Sequence, residues 1–213
     1  MASGLVVNDF DHPIFSESLR RIRAWLGETG LGGLERDVLE RLVHSGGDLS
    51  LAPDLRFSPG ACALGAEALA GGAPILTDTA MAAAAVNPMA RRTFGNPVWS
   101  VLDWAPAVAS AGGTRAAAGM AIALERHPGA VVLIGSAPTA LERLLALSAA
   151  GAVPPPALVI GMPVGFVGVL ESTRRLASSG LPQIRLEGSR GGAGLVAAAA
   201  NALLRGRWLC RDL

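Results

Sequence analysis

Lysine is absent from this chain of 213 residues, so all 18 of its basic side chains are arginine. Without lysine there is no G-x-x-x-x-G-K-S/T phosphate loop. Every basic side chain is instead a planar, two-pronged donor matched to carboxylates. A GC-rich coding sequence would account for the bias itself. Charge is scarce: 16% of residues carry it and the net value is +1, which excludes the basic footprint of a nucleic-acid binder. Cysteine is reduced to Cys62 and Cys210, without metal-type spacing, and both read as ordinary thiols of a reducing compartment. His12, His44 and His127 are scattered without ligand spacing, so no metal site is expected.

Long apolar runs are missing too, although mean hydropathy is +0.43. A spanning helix needs about 20 continuous apolar residues. The runs 130–135 and 157–161 are short and bounded by Gly and Pro. The Ala-rich stretch Ala193–Leu204 contains Gly194 and Asn201 and is followed by Arg205 and Arg207, which suits a packed helix. The first ten residues carry neither the basic region nor the apolar core of a signal peptide. The expectation is a cytoplasmic protein with no membrane and no nucleic-acid partner.

What is present is alternation. Helical spacing covers Phe15–Leu26, with Pro13 as a starter, and then about Leu34–Val43, where Gly46 and Gly47 can supply a left-handed stop and leave His44 at the C-terminal edge. A helix over Pro59–Ala70 is stopped by Gly71 and Gly72. Strands are predicted at Pro74–Asp78, more weakly at Val98–Leu102, and at Ala130–Ile134, Ala157–Gly161 and Gln183–Leu186. Between and after them come an Ala-rich helix with Met81 and helices at Thr114–Glu125, Thr139–Ala149, Val169–Ala177 and Leu195–Leu204. Strand, Gly/Pro turn and helix in repetition predict one α/β domain over 1–213, with a parallel sheet covered on both faces.

In open parallel sheets, ligands sit at the carboxyl ends of the strands. Those ends here are Thr77-Asp78, Gly135–Thr139, Gly161–Gly168 and Gly188–Gly194, all rich in Gly, Pro or hydroxyls. None spells G-x-G-x-x-G, and no G-x-S-x-G with a late His exists, so dinucleotide binding and serine hydrolysis lack their signatures. His44 is the one attractive acid–base group; the alternative is a histidine that caps helix carbonyls. His127 and His12, each before a proline, read as surface turn residues.

Several stretches, read together, resemble the precorrin-8X methylmutase family, including its cobalt-precorrin-8 branch. They are Arg41-Leu-Val-His-Ser-Gly-Gly-Asp48, Gly72-Ala-Pro-Ile-Leu-Thr-Asp78 with Met81, Gly113-Thr-Arg-Ala-Ala-Ala118 and Ile134-Gly-Ser-Ala-Pro-Thr-Ala-Leu141. Gly161-Met-Pro-Val-Gly-Phe-Val-Gly168 with Glu171-Ser172, and Arg190-Gly-Gly before Ala197–Leu203, complete a series in family order from about Ile14 to Leu204. The resemblance implies a three-layer α/β sandwich with a mainly parallel, flavodoxin-like central sheet. It also implies an isomerase of cobalamin biosynthesis that shifts a methyl group between adjacent carbons of ring C of precorrin-8X, giving hydrogenobyrinate, with no cofactor.

By the same resemblance His44 is the general acid, a role suited to a group whose ordinary pKa is about 6.5. Arg41, one helical turn earlier, and Ser18 are substrate contacts. Arg115 is the next charged candidate for the carboxylate arms of the tetrapyrrole, with Thr114, Ser136, Thr139 and the amides around Gly191 and Gly192 as uncharged donors. Family members are typically homodimers with the pocket near the subunit interface. The chain departs from the family pattern at Ser136 (usually Asn), Ala80 (Glu), Thr173 (Lys) and Ala193 (Ser). A non-catalytic tetrapyrrole carrier, cobalt-precorrin-8 as the true substrate, and a generic nucleotide-dependent enzyme are the competing readings.

Overall fold

The computed structural model describes residues 10–211. Pro13 opens α1 (Pro13–Leu26), and His12 caps it by accepting the Ile14 amide through Nδ1 at 3.2 Å. Helix α2 (Gly33–Gly46) stops where Gly47 turns left-handed at φ 62°, a conformation that favours glycine. It therefore runs past Val43, and His44 lies within its last turn. A 3-10 segment (Leu49–Asp54) leads to β1 (Leu55–Phe57) and α3 (Ala61–Ala70). The alternation follows: β2 (Ile75–Thr77), α4 (Ala80–Arg92), β3 (Val98–Ser100), α5 (Arg115–Arg126), β4 (Val131–Ile134) and α6 (Pro138–Ala149). Then come β5 (Leu158–Gly161), α7 (Val169–Ala177), β6 (Gln183–Leu186) and α8 (Ala193–Leu209).

The six strands form one sheet in the order β1-β6-β5-β4-β2-β3. Strands β2 to β6 are mutually parallel, and their order is the flavodoxin-like one, reversing between β2 and β4. β1 adds an antiparallel edge, with Leu55 opposite Leu186. β1, with Arg56 at its centre, is not among the strands expected from the sequence. The stretch expected to be strand through Leu102 becomes a 3-10 turn at Val101–Asp103, closed by a Ser100–Asp103 capping box.

Alternate residues of the buried strands point to opposite layers. Ile75, Val131, Leu133, Leu158 and Ile160 pack with α3, α4 and α8, while Leu76, Val132, Ile134 and Val159 pack with α5, α6 and α7. Helix α8 is the central prop, packed on α2, α3 and α4 as well as β4 and β5. It runs five residues beyond the expected Leu204. Its buried surface is mostly alanine, and a Cβ on Gly206 would come within 2.6 Å of Leu34. No helix among the described residues is long and apolar enough to cross a membrane. Cys62 is buried and Cys210 exposed, both free, and burial pushes the Cys62 thiol up to about 12.

Gly119 gives a sharp test of this packing. Alanine normally stabilises a helix interior by up to about 1 kcal/mol relative to glycine. A Cβ at Gly119 in α5 would lie 2.0 Å from the carbonyl oxygen of Val101. Gly119→Ala is therefore expected to destabilise by about 1–3 kcal/mol, lowering the calorimetric midpoint by roughly 2–4 °C per kcal/mol. A raised midpoint would mean that the α5 contact has slack.

Candidate active site

Glu40 fixes α1 against α2. It is buried at 1% exposure and accepts from Arg23 at 2.8 Å and Arg36 at 3.0 Å, two cations that make its burial tolerable. With the helices so registered, Ser18 Oγ lies 2.8 Å from His44 Nδ1. Phe15, one turn before Ser18, meets the His44 ring edge-to-face at 5.0 Å and carries the Arg41 guanidinium 4.4 Å above its own ring centre. The expected shared face of Arg41 and His44 is thus present, with Phe15 as its floor. Among the described residues His44 bonds a side-chain hydroxyl and no helix carbonyl, which argues against the capping alternative.

Partial burial and, after it, the Arg41 charge hold His44 below the ordinary imidazole value of 6.5. Arg205 also approaches Phe15 but is neutralised by Asp11. Among the described residues no carboxylate lies within ion-pair distance of Arg41, whose own pKa is lowered by burial and by Arg205. A half-buried guanidinium without a counter-ion gains from an anionic ligand.

The end of α2 abuts the start of α8, where Ser45 comes near Gly194. Beside them opens a cleft of about 500 Å³ between the 3-10 segment, the β5–α7 loop and the β6–α8 loop. Val164 and Phe166 of the β5–α7 loop line it, with Phe166 at 96% and Val167 at 89% exposure. Arg190 also lines it, but its guanidinium is engaged: it bonds Asp48 at 2.9 Å, the Ser50 hydroxyl at 2.6 Å, and Asp54. Arg190 thereby clamps the β6–α8 loop to the segment that follows His44.

Farther along the carboxyl edge, Thr114 caps α5 and its hydroxyl lies 2.7 Å from that of Thr139 in the first turn of α6. Ser136 lies on the β4–α6 turn, three residues before Thr139. The amides of Gly135, Ser136 and Ala137 all donate to Oδ2 of Asp78, at 3.1, 2.6 and 2.7 Å. The two groups of candidates meet at α8: a Cβ on Gly135 would lie 2.7 Å from the Gly192 carbonyl carbon and the Ala193 nitrogen.

Gly192 donates its amide to the Met162 carbonyl at 2.9 Å, so of the two glycines only Gly191 keeps an unengaged amide among the described residues. Arg115 is exposed at the start of α5, its Nε donating to the Pro106 carbonyl at 2.9 Å, and it touches neither His44 nor Arg41. Of the departures, Thr173 is buried with its hydroxyl on the Val169 carbonyl at 2.8 Å, and Ala80 is exposed at the first position of α4. His127 caps α5 and is half-buried, its ring 5.1 Å from Trp104 and 6.1 Å from Trp99, so it belongs to an aromatic cluster instead of a bare surface turn.

Phe15, Asp78 and Arg190 carry geometry that the sequence did not single out. Phe15 shares a helical face with Ser18, a signal available from spacing. An acidic residue closing the apolar run Ile75–Thr77 was the trace left by Asp78.

These features define a flavodoxin-like α/β protein with a histidine–serine pair at the carboxyl edge of its sheet and beside it an arginine that has no carboxylate partner among the described residues. Residues 13–206 match the family model for precorrin-8X methylmutase, and the chain belongs to that family of isomerases. It is 45% identical over 198 residues to a precorrin-8X methylmutase of Pseudomonas aeruginosa, covering 89% of this chain and 93% of the relative. A cobalt-precorrin-8 methylmutase of Synechocystis is 38% identical over 212 residues, covering 93% and 97%. The crystal structure of the precorrin-8X methylmutase from Thermus thermophilus superposes with a TM-score of 0.84 at 41% identity, covering 92% of this chain and 96% of that one.

Arg41 is expected to hold His44 down. In Arg41→Gln both causes weaken, because a positive neighbour and part of the desolvating bulk are removed. The imidazole pKa, read from the pH dependence of its C–H proton resonances, should rise. A fall would show that Arg41 does not act on this ring.

Proposed function

We propose that the chain is a single-domain precorrin-8X methylmutase, a cytoplasmic homodimer that moves a methyl group between adjacent carbons of ring C to give hydrogenobyrinate. The observation that carries this reading is the Ser18–His44–Arg41 cluster over Phe15, within a chain whose family is that of the methylmutases. The methyl never leaves the substrate, so the protein must hold a flat polyacid in one orientation and redistribute electrons within its conjugated system. Protonation does the latter: a proton enters the macrocycle, the methyl shifts to the neighbouring carbon, and the proton is returned.

His44 supplies that proton. As imidazolium it donates Nδ1–H to Ser18 and offers Nε2–H to the substrate. After transfer the Nδ1–H bond to Ser18 is unchanged, and Nε2 is free to take the proton back. Ser18 thus orients the acid through the 2.8 Å contact as well as lying at the substrate's edge. Arg41 takes one carboxylate arm. Arg115, the hydroxyls of Thr114, Ser136 and Thr139, and the amide of Gly191 are assigned to others, with Gly192 shaping the turn.

A bound carboxylate offsets the Arg41 charge, the second of the two influences that depress His44, and its own negative charge favours the imidazolium in the complex. An acid whose pKa is lowered loses its proton early, so kcat/KM should fall as pH rises through a value below 6.5, while the same limb in kcat lies at higher pH.

Relatives of this chain carry both the metal-free and the cobalt substrate in their names, so both forms are offered in the test. An absorbance time course with precorrin-8X should show conversion by the wild type and none by His44→Ala, which still binds pigment. Ser18→Ala should lose about tenfold in kcat, the effect of one hydrogen bond to a charged group. Full activity in His44→Ala would sink the acid–base assignment. Binding without conversion of either substrate form by the wild type would make the protein a carrier.

A further inference from the structure

We infer that Asp78 is a positioning residue for this site: its carboxyl holds the β4–α6 turn so that the Ser136 and Thr139 hydroxyls, and not the turn's amides, meet the substrate. The substrate half of this inference rests on the proposed methylmutase function. The turn has no side chain of its own for the task. Ala137 occupies the N-cap position of α6 without a capping bond, and Pro138 after it has no N–H to offer. Asp78, at the end of β2 and 57 to 59 residues away in sequence, collects the three amides of Gly135, Ser136 and Ala137 on one oxygen.

This carboxyl lies where the strand order reverses between β2 and β4, the place where open sheets form their ligand crevice. It has no solvent exposure, and its second oxygen is sealed without a partner among the described residues. So costly a placement is retained only if the geometry it fixes matters. Burial raises the Asp78 pKa, against the backbone amides that lower it. Two things follow from its hold on the turn. A helix N-terminus that would otherwise attract a substrate carboxylate is already occupied. And the placement of Thr139 passes through its 2.7 Å hydroxyl contact to Thr114, hence to the start of α5 beside Arg115.

The test compares Asp78→Ala and Asp78→Asn, each in the full chain and again in a Ser136→Ala/Thr139→Val background. KM and kcat are measured on precorrin-8X, with hydrogen exchange at amides 135–137. Asp78→Ala should deprotect those amides and raise KM about tenfold, with kcat changed less than about threefold, as expected for misplaced binding groups. Asp78→Asn keeps an acceptor oxygen and should restore both protection and KM. In the background lacking the two hydroxyls, Asp78→Ala should raise KM no further. Additive KM effects, an unchanged KM, or failure of asparagine to restore it would overturn the inference. Exchange needs no substrate: unchanged protection in Asp78→Ala refutes the role of Asp78 itself, whereas an inactive wild type refutes the methylmutase reading.

Discussion

The close approach of three strand-following loops around the start of α8 is the constraint on which the site depends. Gly191 packs where a Cβ would lie 2.0 Å from the Met162 carbonyl oxygen, and at Gly135 a Cβ would lie 2.7 Å from Gly192 and Ala193. These contacts bring the ends of β4, β5 and β6 to one point, and α8 carries that point into the core through its alanine-lined flanks. Helix α2 lies against the same helix, so the position of His44 is referred to the sheet through α8. A larger side chain at Gly135 or Gly191 would push apart the loops that join the histidine half of the site to the hydroxyl half.

Charge is distributed around this junction with a clear division. Arg190 and Arg205 are occupied by aspartates and serve to tie segments together. The α6 amide cradle is occupied by Asp78. Arg41 alone of the clustered cations over Phe15 lacks a carboxylate partner among the described residues. On the proposed function, a ligand with several carboxylates would meet a surface whose internal pairs are already satisfied, leaving Arg41, Arg115, the hydroxyls and the Gly191 amide for its arms. The exposed Phe166 and Val167 beside the cleft supply apolar surface that a polyacid with a flat conjugated body can cover.

Much of this was legible in the sequence, because the central strands β4 and β5 are continuous apolar runs closed by Gly and need no partner to be recognised. Strands β2, β4, β5 and β6 lie within a residue of their expected limits, and α7 and β6 match at both ends. What escaped was non-local. β1 exists only because β6 offers an edge, and α8 continues to Leu209 because α2 and α4 cover it. In the site, helical spacing placed Arg41 beside His44, but nothing local shows that Ser18 reaches the same ring across 26 residues. Nor does local sequence reveal that Gly192 and Arg190 are already bonded, or that Asp78 caps a turn of another strand.

The central claim is that one flat polyacid spans this edge from His44 to Ser136. A crystal structure of the protein with hydrogenobyrinate bound tests it most directly. The macrocycle should lie across the start of α8, with His44 Nε2 about 3 Å from it, one carboxylate on Arg41 and another within reach of the Ser136 and Thr139 hydroxyls. A pigment bound elsewhere, for example in the cavity of about 300 Å³ between α7 and β6, with His44 facing solvent, would contradict it.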